Sequence, residues 1–476
     1  MTESPQIALV PGSSALQLLF NLVRDAQAKF PASLGQLALP EDVKIFRKSY
    51  PQVLPEFEHL RISAPDSAEI AHFMCQKMRA QLVWDEGDQQ QSLHEYLQRE
   101  FEPLALKRHE FLGQPGWKPE PVYRGRRYTG DAIPEMGQLL TGEGMISPQA
   151  GARLQDHDLL INGEINLSNR KVVVMGAGAE MASTYYWLSA GAEVLWLDTA
   201  APPAHWWEDD ELAGYLVWPE HHADLLGQPG EILATIKSFA QGQPVDLALY
   251  AYAPGQAREM RLTGAMNGIV DALPSDLIAS VTMLVSPTTP SRISDQEIAV
   301  QAKNLDQRKL WERACATLGL LGRRPGWSGT GDAAVSNTVV SIQGASYQVA
   351  QYIGKVIMAE VWSRIGQMGH ADPTPLRVSA NTAAITRTRS LDHPVFAAAF
   401  GGAAAFGVET LTPRQSRVLN GLLAVADWTS EDSPTPGQVR VHGGIHTLAY
   451  ELESALWVAA VIGFVRSPRL IKGLFR

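Results

Sequence analysis

Apolar and polar positions alternate differently in two unequal parts of the chain. Before residue 165, apolar residues recur at three-to-four spacing in "ALQLLFNLVRDAQAKF", "SAEIAHFMCQKMRAQLVW" and "SLHEYLQREFEPLALKRHEFL", the period of amphipathic helices. "GWKPEPVYRGRRYTGD", rich in Pro, Gly and Arg, predicts a loop. "LLINGEINL" sets two short apolar runs around Asn162-Gly163, a pair that tolerates the positive φ of a hairpin turn. From residue 171 the runs shorten and alternate. "KVVVM", "EVLWLD", "VDLALYAYAPG" and "LIASVTMLVSP" read as strands, separated by the helical "ASTYYWLSAG" and "QAREMRLTGAMNGIVDAL". Beyond them the pattern predicts a long helix in "DQEIAVQAKNLDQRKLWERACATLG", another in "AAVSNTVVSIQGASYQVAQYIGKVIMAEVW", and a strand in "LRVSANTAAITRT". Alternation of this kind predicts an α/β protein with a doubly wound parallel sheet in residues 166–476, behind a mainly helical accessory domain or cap in 1–165.

Composition narrows the class. The chain has 476 residues, 45% hydrophobic and 19% charged, which is the profile of a folded globular protein. A formal net charge of −10 argues against a general nucleic-acid binder. Cys75 and Cys315 make neither a metal-spaced set nor a disulfide framework, so a reducing interior is expected. There is no signal-peptide pattern and no apolar run long enough to span a bilayer, so the expected location is cytoplasmic.

Candidate chemistry concentrates in "KVVVMGAGAEMASTYYWLSAGAEVLWLD", residues 171–198. Gly176 stands where a tight turn after the first strand needs no Cβ, and Gly178 would let backbone approach a pyrophosphate at the N-terminus of the next helix. Ala177 lies between them. Met181 occupies the third glycine position of G-x-G-x-x-G, whose task is close packing of helix on strand, and Ala182 offers a small side chain one residue later. Asp198, about 20 residues beyond the first glycine, is placed to hydrogen-bond a ribose 2′-hydroxyl. No Arg or Lys follows it in "TAAPPA" to hold a 2′-phosphate, which favours NAD over NADP.

With these motifs in order, residues 170–390 resemble the short-chain dehydrogenase/reductase superfamily, a Rossmann-like fold, with a ketoreductase-like stretch in "RRPGWSGTGDAAVSN". The resemblance implies that the loop after the fourth strand, with Ala251, Tyr252 and Ala253, covers the adenine and ribose. It implies Asn267 as support for a proton relay and Ser286 as the hydrogen-bond donor to a substrate carbonyl. The family's proton donor is a Tyr four residues before a Lys. Here Lys303 is present, but Ala299 fills the tyrosine position and no tyrosine occurs between Pro287 and Leu321. Two readings remain for the proton: a relocated donor from Tyr352 and Lys355, three apart and neighbours on an α-helical face in a helix that also carries Tyr347, or tyrosines that only pack beside a solvated Lys355.

Two function classes remain: an NAD(P)-dependent oxidoreductase acting on a carbonyl or alcohol of medium size with an apolar body, with an atypical proton donor, or a non-catalytic NAD(P)-binding sensor or scaffold. S-adenosylmethionine is disfavoured, because no acidic residue precedes the glycine turn. His442 and His446 have the spacing of a metal pair, but glycines separate them and no Glu follows the first, so no metal is expected. "ALWVAAVIGFVRSPRLIKGLFR" ends in Arg466, Arg469, Lys472 and Arg476, either a docked helix or a weak peripheral contact with an anionic membrane. Homo-oligomerisation stays open.

Overall fold

The computed structural model describes residues 4–470 apart from 88, 254, 256, 323, 381–385 and 389–392. It is an α/β fold around a seven-stranded, mostly parallel sheet. In chain order the strands are β1 (Leu106–Leu112), β2 (Lys171–Met175), β3 (Glu193–Leu197), β4 (Ala213–Pro219), β5 (Val245–Leu249), β6 (Ile278–Met283) and β7 (Val378–Ala380). Their spatial order is β7-β6-β5-β2-β3-β4-β1. Only β1, at one edge, runs antiparallel to its neighbour. From β2 the chain winds outward through β3 and β4, then crosses back to β5 and winds the other way. Strand order thus reverses between β2 and β5.

Alternate residues of the central strands enter two separate cores, as their period of two requires. Val173, Met175, Leu195, Leu197, Leu247 and Leu249 face one core, with residues of the helices Ala15–Lys29, Val43–Ser63, Ser67–Arg79 and Arg258–Ala272. Val172, Val174, Val194, Trp196 and Ala248 face the other, with residues of Ala132–Gly142, Pro148–Leu154 and Pro413–Thr429. Both faces of the sheet are covered, which is why "KVVVM" is apolar at every position after Lys171.

Several predicted elements take another form. "SLHEYLQREFEPLALKRHEFL" keeps only a five-residue helix, Leu93–Leu97, and its end becomes edge strand β1. Leu106, His109 and Phe111 are the less exposed positions of β1, so pairing with β4 overrides a helical reading of the same residues. The helix predicted from residue 333 begins at Ala345, after Gly344 at φ +80°, and the one predicted from 295 breaks into Asp295–Asp306 and Leu310–Thr317. Much of "LRVSANTAAITRT" beyond β7 lies outside the described residues, as do Lys472 and Arg476. The Asn162-Gly163 turn forms as predicted, at φ +55° and +80°, with Ile161 and Glu164 exchanging backbone hydrogen bonds.

A π-helix, Val349–Ile357, links the helical layer to the sheet and continues into the α-helix Met358–Arg364. Gly354 lets it come close to the Arg258–Ala272 helix, since a Cβ there would stand 2.7 Å from Thr263 Cγ2. Asp271, on that neighbouring helix, accepts from Trp362 Nε1 and Met368 N–H, each at 2.9 Å on Oδ1. Burial is the main cause pushing its carboxyl up to about 6. A raised folded-state pKa means that the folded chain holds the proton more tightly than the unfolded one. The resulting stability is complete below the unfolded pKa and is lost as pH rises through about 6. Asp271→Asn keeps the Oδ1 acceptor and removes the charge. It is expected to stabilise the protein by about 1–3 kcal/mol near pH 8 and by almost nothing near pH 4, as thermal melts across that range would read.

Candidate functional site

The glycine turn after β2 is held by its neighbours. Gly176, at φ +88°, donates its N–H to Leu197 O, and a Cβ at this position would lie 2.3 Å from Ala251 N. Only glycine lets the end of β2 pass so close to the end of β5. Around this crossing opens a cleft of about 490 Å³, lined by Gly176, Gly178, Asp198, Ala251, Tyr252 and Ala253. These are six of the eight residues expected to bind the cofactor. Ala177 is instead buried in the core, and Met181 packs against that core.

The cleft also departs from expectation. The next helix, Thr184–Ser189, is six residues long and begins well beyond Gly178, so the glycine turn does not lead straight into a helix N-terminus. Gly178 N–H donates to Asp198 Oδ2 at 2.9 Å, and the other carboxylate oxygen accepts from Ala200 N–H at 2.9 Å. Glu180, Asp224 and Arg258, which the sequence reading did not single out, complete its charged lining. The carboxylates at Glu180, Asp198 and Asp224 outnumber the single guanidinium.

Beside the cleft lies a polar cluster built on the extension of β6 and on the helix that starts at Ala345. The Tyr347 phenol lies near the hydroxyls of Ser286 and Thr288, which favour its ionised form. Ser286 Oγ and Thr288 Oγ1 are 2.8 Å apart, and Ser286 N–H donates to Gln351 Oε1 at 2.9 Å. Gln351 Nε2 donates to Glu259 Oε1 at 2.6 Å, while Glu259 Oε2 accepts from Ala253 N–H at 3.0 Å, which joins the cluster to the cleft wall. Lys355 Nζ donates to Leu284 O at 2.9 Å and lies 3.7 Å from Glu259 Oε1. Burial lowers the Lys355 pKa against the raising effect of Glu259. Burial, with Glu259 adding, raises that of Tyr347, although Ser286 and Thr288 pull the other way.

The expected Tyr352–Lys355 pair does not form. Tyr352 turns away and donates to Glu58 Oε2 at 2.7 Å, in a buried network where Arg61 bridges Glu58 and Glu360. The cause is the π-helix. With roughly 4.4 residues per turn, positions three apart diverge by about 115° while positions four apart nearly superpose. Gln351 and Lys355 therefore share the face that looks at β6, and Tyr347 precedes them by the same interval. Asn267 is also diverted: it is buried and donates from Nδ2 to Gly354 O at 2.8 Å, bracing the π-helix rather than relaying a proton. Lys303 is exposed on the Asp295–Asp306 helix.

Thr288 further lines a narrow apolar cavity of about 60 Å³, with Phe396, Phe400, Phe406, Ile445 and Leu448. The signal for Tyr347 and Gln351 was their i, i+4 spacing, obscured because glutamine stands in the lysine position. The C-terminal helix Leu452–Arg466 packs on Pro394–Ala403 so tightly that a Cβ on Gly463 would overlap Ala398 O, while Trp457, Val461 and Val465 remain exposed. Among the described residues, no helix is long and apolar enough to cross a membrane. No protein-family model matches the chain, and no curated protein matches it in sequence.

Proposed function

We propose that the sheet is a Rossmann-like doubly wound sheet and that the chain is an NAD(P)-dependent oxidoreductase of the short-chain dehydrogenase type, acting on a small carbonyl compound. The observation that carries the reading is the position of the cleft. It lies at the carboxyl ends of the parallel strands, where the order reverses between β2 and β5, and it gathers the glycine turn, the acid after β3 and the loop after β5. Asp198 suits a ribose hydroxyl, and the excess of carboxylates opposes an added 2′-phosphate, so NAD is preferred to NADP. With no helix terminus at the glycine turn, Arg258 is the group that offsets pyrophosphate charge.

Held by the glycine turn, Asp198 and the 251–253 loop, a nicotinamide dinucleotide would supply the hydride for carbonyl reduction. Ser286 holds the substrate oxygen, and Tyr347 delivers its phenolic proton to that oxygen as the C–H bond forms. The tyrosinate left behind recovers a proton from water. Burial keeps Tyr347 protonated at neutral pH, the form that can donate. Thr288 and the apolar cavity beyond it accommodate the substrate's aliphatic side.

Nucleotide binding without turnover, a sensor, is a second reading favoured by one observation: Lys355 is paired with Glu259 rather than set to lower the pKa of Tyr347. Oxidation of NADH with a panel of aliphatic aldehydes and ketones separates the two. The oxidoreductase reading expects carbonyl-dependent NADH consumption with one alcohol formed per NADH. Binding of NADH with no consumption across the panel would favour the sensor.

A further inference from the structure

The segment "VHGGIH" folds back against the Asp295–Asp306 helix, far from its own place in sequence. There His442 and His446 meet Glu297, all three buried, with one donor atom from each within 4.8 Å of the other two. Three nitrogen and oxygen atoms of this cluster, Glu297 Oε1, His442 Nε2 and His446 Nδ1, are buried without a hydrogen-bond partner. His442 Nε2 and Glu297 Oε1 are 2.9 Å apart, an ion-pair distance whose angles do not make a hydrogen bond. Leaving three such atoms unsatisfied is costly unless something bonds them together.

The remaining atoms of these side chains are occupied in the way that ligands are oriented. Glu297 Oε2 accepts from Ser294 N–H and Ser294 Oγ, each at 2.7 Å, in the capping box that starts the helix. That leaves Oε1 facing the histidines. His446 Nε2 lies 2.9 Å from Pro287 O, so the ring proton belongs on Nε2 and the Nδ1 lone pair points free. The two imidazoles stack, centroids 4.6 Å apart and 7° from parallel. Gln301, one turn beyond Glu297, is also buried and donates from Nε2 to His446 O, which fixes the backbone that carries His446.

We propose that Glu297, His442 and His446 bind a zinc-class divalent transition ion. Two imidazoles and one carboxylate suit such an ion and not calcium or magnesium, which take oxygen donors in larger number. Bonds of about 2.1 Å set the donor atoms about 3.5 Å apart, so the 2.9 Å pair must open, any wider pair must close, and the two near-parallel rings must tilt toward the ion. Bonding at His442 Nε2 moves that ring's proton to Nδ1 and displaces the 3.3 Å contact from Gly444 N–H. Gly443 and Gly444, at φ +59° and +94°, give the strand of chain room to turn. The ion would clamp the 442–446 segment to the Asp295–Asp306 helix and, through Pro287 O, to the loop that carries Ser286 and Thr288. The inference stands apart from nucleotide binding.

Chelator-stripped protein titrated with Co²⁺ alone tests it, followed by visible absorption and then by competition with Zn²⁺. Expected are about one Co²⁺ per chain with a nitrogen-and-oxygen tetrahedral spectrum, displacement by zinc, and a higher melting temperature with either metal. His446→Gln and Glu297→Gln should each weaken binding about a hundredfold or more, while changing the surface pair His221 and His222 to alanine should leave it unchanged. Should a core variant fail to fold, X-ray absorption of the Co²⁺-loaded wild type decides, and two imidazoles with oxygen are expected in the first shell. No Co²⁺ spectrum or melting shift at about 100 µM metal, binding that survives His446→Gln, or binding that follows His221 and His222 would overturn the proposal.

Discussion

Tyr347→Phe is expected to lower carbonyl-dependent NADH turnover by about a hundred- to a thousandfold while leaving NADH affinity within about twofold, because a positioned general acid contributes on that order. The phenol lies near the hydroxyls of Ser286 and Thr288, in the cluster that Glu259 joins to the cleft wall. Phenylalanine keeps the ring and removes the only proton that Tyr347 delivers. Tyr352→Phe is the internal control. Its hydroxyl belongs to the Glu58–Arg61 network, so the variant should lose about 1–2 kcal/mol of stability and retain turnover within about threefold. Steady-state rates, nucleotide titration and denaturation on both variants distinguish the roles. Equal loss of turnover in the two, or loss in Tyr352→Phe alone, would return the proton donor to the position first suggested by the sequence.

Gly176→Ala is expected to cost about 3–5 kcal/mol. The new Cβ would meet Ala251 N at 2.3 Å and Ala251 Cα at 2.5 Å, both backbone atoms of the adjacent strand end, so no side-chain rotation relieves the overlap. The positive φ adds its own penalty. Gly242 separates the two costs: it has φ +76° but nothing within 4 Å of a Cβ, so Gly242→Ala should lose only about 1 kcal/mol. Urea unfolding of the three proteins measures the difference. A Gly176→Ala midpoint equal to that of Gly242→Ala would mean that the ends of β2 and β5 are not in contact.

Much of this architecture was legible because the central strands have no polar alternative. "KVVVM", "EVLWL" and "VDLAL" are short apolar runs bounded by glycine or helix, and all became neighbours in one parallel sheet. The glycine turn, Asp198 and the 251–253 loop were readable for a related reason: each directly follows a strand, and parallel strands end on the same side. Elements decided by partners rather than by their own period were harder. Strand β1 carries enough helix formers to pass for a helix until β4 supplies its hydrogen bonds. The six-residue helix after the glycine turn could not be foreseen from small residues alone. The π-helix was invisible because nothing in "VAQYIGKVI" departs from an amphipathic α-helix, yet it rotates Tyr352 away from Lys355 and leaves Tyr347 at the site. Glu297 lies about 145 residues from His442, so no local spacing links them.

Calorimetric titration of the wild-type chain and of Gly178→Val with NADH tests whether the glycine-turn cleft holds the nucleotide. A branched side chain at residue 178 would project toward Trp196 Cζ2 and Asp198 Oδ2, which a Cβ there already approaches to 3.2 and 3.3 Å, and would crowd the carboxylate that Gly178 N–H now reaches. The account predicts one NADH per wild-type chain, tighter binding of NADH than of NADPH with the gap narrowed by Asp198→Ser, and loss of binding in Gly178→Val with an unchanged far-UV spectrum. An absence of binding heat in the wild type, or an NADH affinity that Gly178→Val leaves unchanged, would contradict it.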